Sequence, residues 1–135
     1  RVWRNLAAAR YWAPGERDRA AEACRMATDL GTEERKIDPR NPRLLVDLAD
    51  CAAMMGERRA ARGLLDAALA LEGGDATVAR LAAGAYEQIG DRAAALRWLG
   101  EALRGGYPRD PIEKDPWLEA LRADPRYGKL VTGVR

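Results

Sequence analysis

The sequence predicts an all-α protein built as three helix pairs followed by a short helical cap. Three observations lead there. Apolar residues recur at intervals of three and four, as on one side of an α-helix, and nowhere alternate as on a strand. Leu44, Leu45, Leu48, Cys51, Ala52 and Met55 form the clearest such run. Turn glycines recur with a period: Gly56 and Gly90 lie 34 residues apart, and Gly15 precedes Gly56 by 41, which is the same period plus seven. Near the end, Asp-Pro occurs three times, at Asp110-Pro111, Asp115-Pro116 and Asp124-Pro125.

Taken in order, the first pair is expected over 1–13 and 17–37, the second over 42–55 and 57–71, and the third over 76–89 and 92–104. Gly56 and Gly90 supply the left-handed residue that ends a helix. Asn41 offers an N-cap oxygen, and Pro42 occupies the first helical position, where its missing N–H costs nothing. Asp75 caps the fifth helix in the same way. Gly73-Gly74 and Gly105-Gly106 mark exits. The long second helix contains DLGTEER, seven residues beyond the period. Seven residues are close to two helical turns, so the insertion lengthens the helix without rotating its apolar face. Leu30 and Ile37, seven apart, are expected to share that face.

The three Asp-Pro steps are read as helix starts near 111, 116 and 125. The aspartate accepts backbone N–H bonds, and the proline ring holds φ near the helical value. Residues 107–131 then cover the apolar face that a stack of helix pairs leaves open at its end. Trp117 and Leu121 are expected on the second helix of the third pair, against Trp98 and Leu99.

Aligning the glycines aligns other columns. Ala20, Ala61 and Ala95 fall five residues after them, and Ala27, Ala68 and Ala102 twelve after. Cys24, Leu65 and Leu99 fall nine after, and Tyr11, Ala52 and Tyr86 four before. Small residues stand where helices approach closely, larger ones where space is filled. The period, the helix-turn-helix unit and these columns resemble the tetratricopeptide repeat (TPR) family over about residues 1–104. Ala8, Ala49 and Ala83 stand where the family prefers glycine, and only Leu48 keeps the family's leucine. The resemblance implies a right-handed solenoid of three repeats, 1–40, 41–74 and 75–106, with capping helices over 107–135. The segments YWAPGERDRAAEA and GYPRDPIEKDPWLEALRADPRY also resemble the TPR regions of bacterial eukaryotic-like serine/threonine kinases and TPR-bearing regulators. That implies a cytoplasmic module of a larger signalling protein with another domain upstream. The opening Arg-Val-Trp, without an initiator methionine or signal-peptide pattern, agrees with a segment of something longer.

Composition narrows the function. Of 135 residues, 47% are hydrophobic and 33% charged, with a net charge of +2 and pI about 8.7. The signs are interspersed, without the basic patch of a nucleic-acid binder. No stretch approaches the roughly 18 apolar residues of a membrane span. Histidine is absent, which removes the commonest general base and metal ligand. Cys24 and Cys51 form no CxxC pair and read as buried reduced thiols, compatible with a reducing compartment, with a disulfide between them as the alternative. Cys24 has no histidine to activate it. Glu33, Glu34, Arg35 and Lys36 read as a solvated face. No EF-hand spacing, phosphate loop or kinase motif is present. The expectation is a non-enzymatic chain with no cofactor and no metal.

Binding remains. In the TPR arrangement the first helix of each unit lines a concave groove. By repeat register the groove residues are Asn5, Ala9 and Trp12, then Asp50, Ala53 and Met54, then Arg80, Gly84 and Glu87. Of these, Asn5, Trp12, Asp50, Met54, Arg80 and Glu87 are the candidate partner contacts. The expected partner is a protein or peptide, with Arg80 available to an acidic side chain. With Asn5 as its only asparagine and no lysine, the set does not reproduce the lysine and asparagine clamp that holds chaperone tails. Val2, Trp3 and Trp12 suggest the alternative, a homodimer that aligns attached catalytic domains.

Overall fold

The structure, a computed structural model, describes residues 2–71 and 75–132. It is all-helical, with no strand among the described residues. Three helix pairs come first: α1 (Val2–Trp12) with α2 (Arg17–Ile37), α3 (Pro42–Met54) with α4 (Arg58–Leu71), and α5 (Ala76–Gln88) with α6 (Arg92–Arg104). Then follow α7 (Arg109–Lys114), a 3-10 turn (Pro116–Leu118), α8 (Glu119–Ala123) and α9 (Pro125–Thr132). The chain divides into two compact units, Arg1–Leu71 and Glu72–Arg135. In the first, α3 packs against α1 and α2 as well as its partner α4. In the second, α5 and α6 carry the C-terminal helices.

The turns are made by backbone chemistry that glycine permits. Gly56, Gly90 and Gly106 have φ of 78°, 87° and 95°. Each closes the same pair of bonds. Glu57 N–H donates to the Ala52 carbonyl at 2.9 Å and Gly56 N–H to Ala53 at 3.1 Å. Asp91 N–H to the Tyr86 carbonyl, and Tyr107 N–H to that of Ala102, repeat the first of these two bonds. This is the double closure that satisfies the last carbonyls of a helix. Gly73-Gly74, expected to mark an exit, lies outside the described residues.

Helix starts use aspartate and asparagine. Asn41 Oδ1 accepts from Leu44 N–H at 3.2 Å, Asp75 Oδ1 from Val78 at 3.0 Å, and Asp91 Oδ1 from Ala94 at 3.1 Å. Two of the three Asp-Pro steps act in this way: Asp115 Oδ1 accepts from Trp117 N–H at 2.8 Å and Asp124 Oδ1 from Arg126 at 2.9 Å. The first step differs. α7 begins at Arg109, so Asp110 and Pro111 lie inside its first turn and Asp110 pairs with Lys114 at 2.9 Å. Proline is tolerated there because the first N–H groups of a helix have no internal acceptor.

The repeat columns are core. Ala20, Ala61, Ala95, Ala68, Ala102, Cys24, Leu65, Leu99, Ala52 and Tyr86 are buried. Tyr11 and Ala27 are half-buried. Tyr11 also receives the Arg17 guanidinium on its ring, 3.8 Å from the centroid.

Two packing expectations are corrected. The 3-10 turn that carries Trp117 packs on α5, and it is α9 that packs on α6. Gly100 of α6 makes room for this, since a Cβ there would stand 2.8 Å from Leu130. The second correction concerns α2. It runs unbroken for 21 residues through Gly31, but Leu30 and Ile37 are 49% and 87% exposed. The buried face passes through Ala20, Ala23, Cys24 and Gly31. At about 100° per residue, Leu30 and Ile37 lie roughly 100° or more around the helix from Gly31. Gly31 meets Leu48 so closely that a Cβ would fall 2.6 Å from it. Beyond Gly31, residues 32–40 are all exposed.

Candidate interaction surface

Only Ala7 of α1 is buried. Val2, Asn5, Ala9 and Trp12 are exposed, spaced three, four and three apart, so they share one side of the helix. Trp12, 48% exposed, meets Tyr11 edge-to-face at 5.4 Å between centroids. This stripe contains the expected contacts Asn5 and Trp12, and it presents an aromatic ring and an amide to solvent.

The expected contacts from α3 are differently placed. Asp50 and Met54 are buried. Asp50 lies 3.8 Å from Arg4 of α1, and the neighbouring Asp47 lies 3.4 Å from Arg4 and 3.7 Å from Arg43. Two buried carboxylates are thereby balanced by two arginines. Buried charges need such partners, because leaving water alone is costly.

In the second unit Arg80 is also buried, and its guanidinium bonds Asp115 at the start of the 3-10 turn. Gly84 leaves it space: a Cβ there would stand 3.3 Å from Arg80 Nη1. Asp115 is further fixed by Trp117 N–H, and its carbonyl and that of Ile112 accept from Arg122. Glu87 is half-buried and binds Arg92 at 2.7 Å, which also reaches Asp124 at 3.8 Å. Arg126 also donates to the Asp124 carboxylate, at 2.9 Å. That bond holds the Asp124 carboxyl down to about 2.

The six expected contacts therefore separate. Asn5 and Trp12 face solvent, Met54 is in the core, and Asp50, Arg80 and Glu87 are engaged in ion pairs. Arg4, Asp47 and Asp115 escaped the sequence reading. Arg4 lies more than forty residues from its carboxylates, and no local pattern marks such a pair; Asp115 showed its capping role but not its distant arginine. Among the described residues no group of three or more histidines, cysteines, aspartates or glutamates is placed to hold a metal ion. No helix among them is long and apolar enough to cross a membrane. No known family model and no curated protein matches the chain.

Proposed function

We propose that the chain is a TPR-like protein–protein interaction scaffold, a right-handed solenoid that serves as a module of a larger bacterial signalling protein. It takes a peptide or protein partner on its concave face, where α1 presents Asn5 and Trp12 to solvent, and it is not an enzyme. The observation that carries this reading is the α1 stripe, where Asn5 and Trp12 stand exposed with Val2 and Ala9. Tryptophan in such a setting supplies large contact area with little conformational entropy to lose, and interface energy concentrates on residues of this kind. The packing of α3 on both helices of the preceding pair supports the repeat reading.

Peptides selected from a random displayed library against the full chain test the proposal. Trp12→Ala should weaken the selected peptides about a hundredfold, ~2.7 kcal/mol, and Asn5→Ala about tenfold. Selected peptides that bind both variants unchanged would place the partner surface elsewhere.

A second reading is self-association. Val2 is 78% exposed. Met26, Leu30 and Ile37 are also exposed and fall within about 40° of one another on α2. Apolar area of this kind invites a second copy. Light scattering over a range of concentrations decides it. A dimer that Leu30→Glu or Trp12→Glu dissociates supports this reading, and a monomer at every concentration ends it.

A further inference from the structure

Cys24 on α2 and Cys51 on α3 are both free and both buried. They meet where α2 packs on α3, close enough for the Cys51 thiol to hydrogen-bond Cys24. Both stand in the wall of a cavity of about 360 Å³ lined also by Thr28, Leu48, Met55 and Leu64. Cys24 also lines a second cavity of about 230 Å³ with Tyr11, Arg17 and Met54. The two cysteines thus share one cavity wall, and Cys24 borders a second cavity as well. The hydrogen bond divides the pair further. Accepting it holds Cys24 below the usual thiol range, while donating it, together with burial, pushes Cys51 well above that range. A thiolate is the nucleophilic form of cysteine, and Cys24 is the thiol that borders both cavities.

We propose that Cys24 and Cys51 form a redox modification site, which a small hydroperoxide converts to an intramolecular disulfide. Cys24 reacts first. Its thiolate sulfur attacks one peroxide oxygen; the S–O bond forms, the O–O bond breaks, and the departing oxygen leaves as hydroxide. That hydroxide takes up the proton Cys24 released on ionising and becomes water. Cys24 is then a sulfenic acid. Cys51, already against it, attacks the Cys24 sulfur. The S–S bond forms, the S–O bond breaks, and the leaving hydroxide accepts the Cys51 proton as a second water. With hydrogen peroxide, two thiols lose two electrons in total and the oxidant is reduced to two waters. The product ties the first helix pair to the second through α2 and α3, and a dithiol reductant reverses it.

The reduced full chain is treated with hydrogen peroxide, free thiols are blocked, and the cysteine peptides are weighed. The expected product is a single cross-linked Cys24–Cys51 pair, lighter by two hydrogens, with no free thiol left, and a raised thermal midpoint. In Cys51→Ser, Cys24 should stop as a sulfenic acid that a dione reagent traps. In Cys24→Ser, loss of the Cys51 thiol should slow more than tenfold. Serine is nearly isosteric with cysteine, and circular dichroism checks that each variant is folded; the wild-type peptide masses decide the matter alone if one is not. Disulfide-linked dimers, cysteines that only gain oxygen, cysteines that survive as free thiols, or a cross-link formed equally fast in the urea-unfolded chain would overturn the assignment.

Discussion

Arg80 shows how a residue's role changes once its neighbours are known. By register it faces outward, ready for an acidic partner; in the fold its guanidinium is held by Asp115, which the 3-10 turn brings onto α5. Arg80→Ala should cost about 1–3 kcal/mol in chemical denaturation, the usual range for charge-assisted hydrogen bonds, and a double-mutant cycle with Asp115→Ala should show coupling. Additive losses would mean the pair does not interact in solution. Asp124 offers a pH test. Its carboxyl is lowered from 3.8 to about 2, chiefly by the Arg126 side chain. A group with a folded value below its unfolded one contributes stability that is lost as pH falls through the folded value. The thermal midpoint should therefore drop between about pH 4 and pH 2, and Asp124→Asn should flatten part of that drop. The column alanines were legible as core because their spacing alone places them on one face. Ala61 has no exposed surface, so Ala61→Trp should lower stability by at least ~1–3 kcal/mol through overpacking. An unchanged melt would mean that the column does not mark a close approach. Ion pairs were illegible, because charge on a helix reads the same whether its partner is water or a residue forty positions away.

At the scale of elements, the glycine turns and aspartate caps were readable because each acts within a few residues of itself. Asp91→Ala should cost about 0.5–2 kcal/mol, the worth of an N-cap, measured by urea melts against an exposed control. Where an element docks is a different matter. The sequence told that the C-terminal residues are helical and amphipathic, but the choice between α5 and α6 rested on space left by Gly100 and on the distant Arg80. The length of α2 was legible from its seven extra residues; the side it buries beyond Cys24 was not, since Gly31, with no side chain, carries no hydropathic signal yet makes the close contact. Leu48→Ala, next to Gly31, should cost about 2–5 kcal/mol. Ile37→Ser, two turns further along α2 and exposed, should stay within about 0.5 kcal/mol. Equal losses would mean that the end of α2 is packed.

For the whole molecule, the main packing partners are neighbours along the chain: α1 with α2, α3 with α4, α5 with α6, and α3 back onto the first pair. Chains dominated by local contacts fold within about microseconds to milliseconds. Stopped-flow refolding should show most of its amplitude in that range, with any slow remainder responding to a prolyl isomerase. A dominant phase of seconds that ignores the isomerase would contradict local assembly. The all-helical class was open to sequence reasoning because period and punctuation agree at every element. The expected contacts were harder to place, since register tells which side of a helix is shared and not which of its residues are already taken.

The bare end of α2 carries Arg35 and Lys36, and Arg40 follows before α3 begins; all three are exposed. Cleavage by trypsin favours exposed backbone that can leave its neighbours, and residues 32–40 are all exposed. The first nick in a brief digestion should fall there, between the two thiols. In the reduced protein the pieces then part in a denaturing gel. In the oxidised protein they should migrate together until a reductant is added, so one lane difference reports both the exposed helix end and the cross-link.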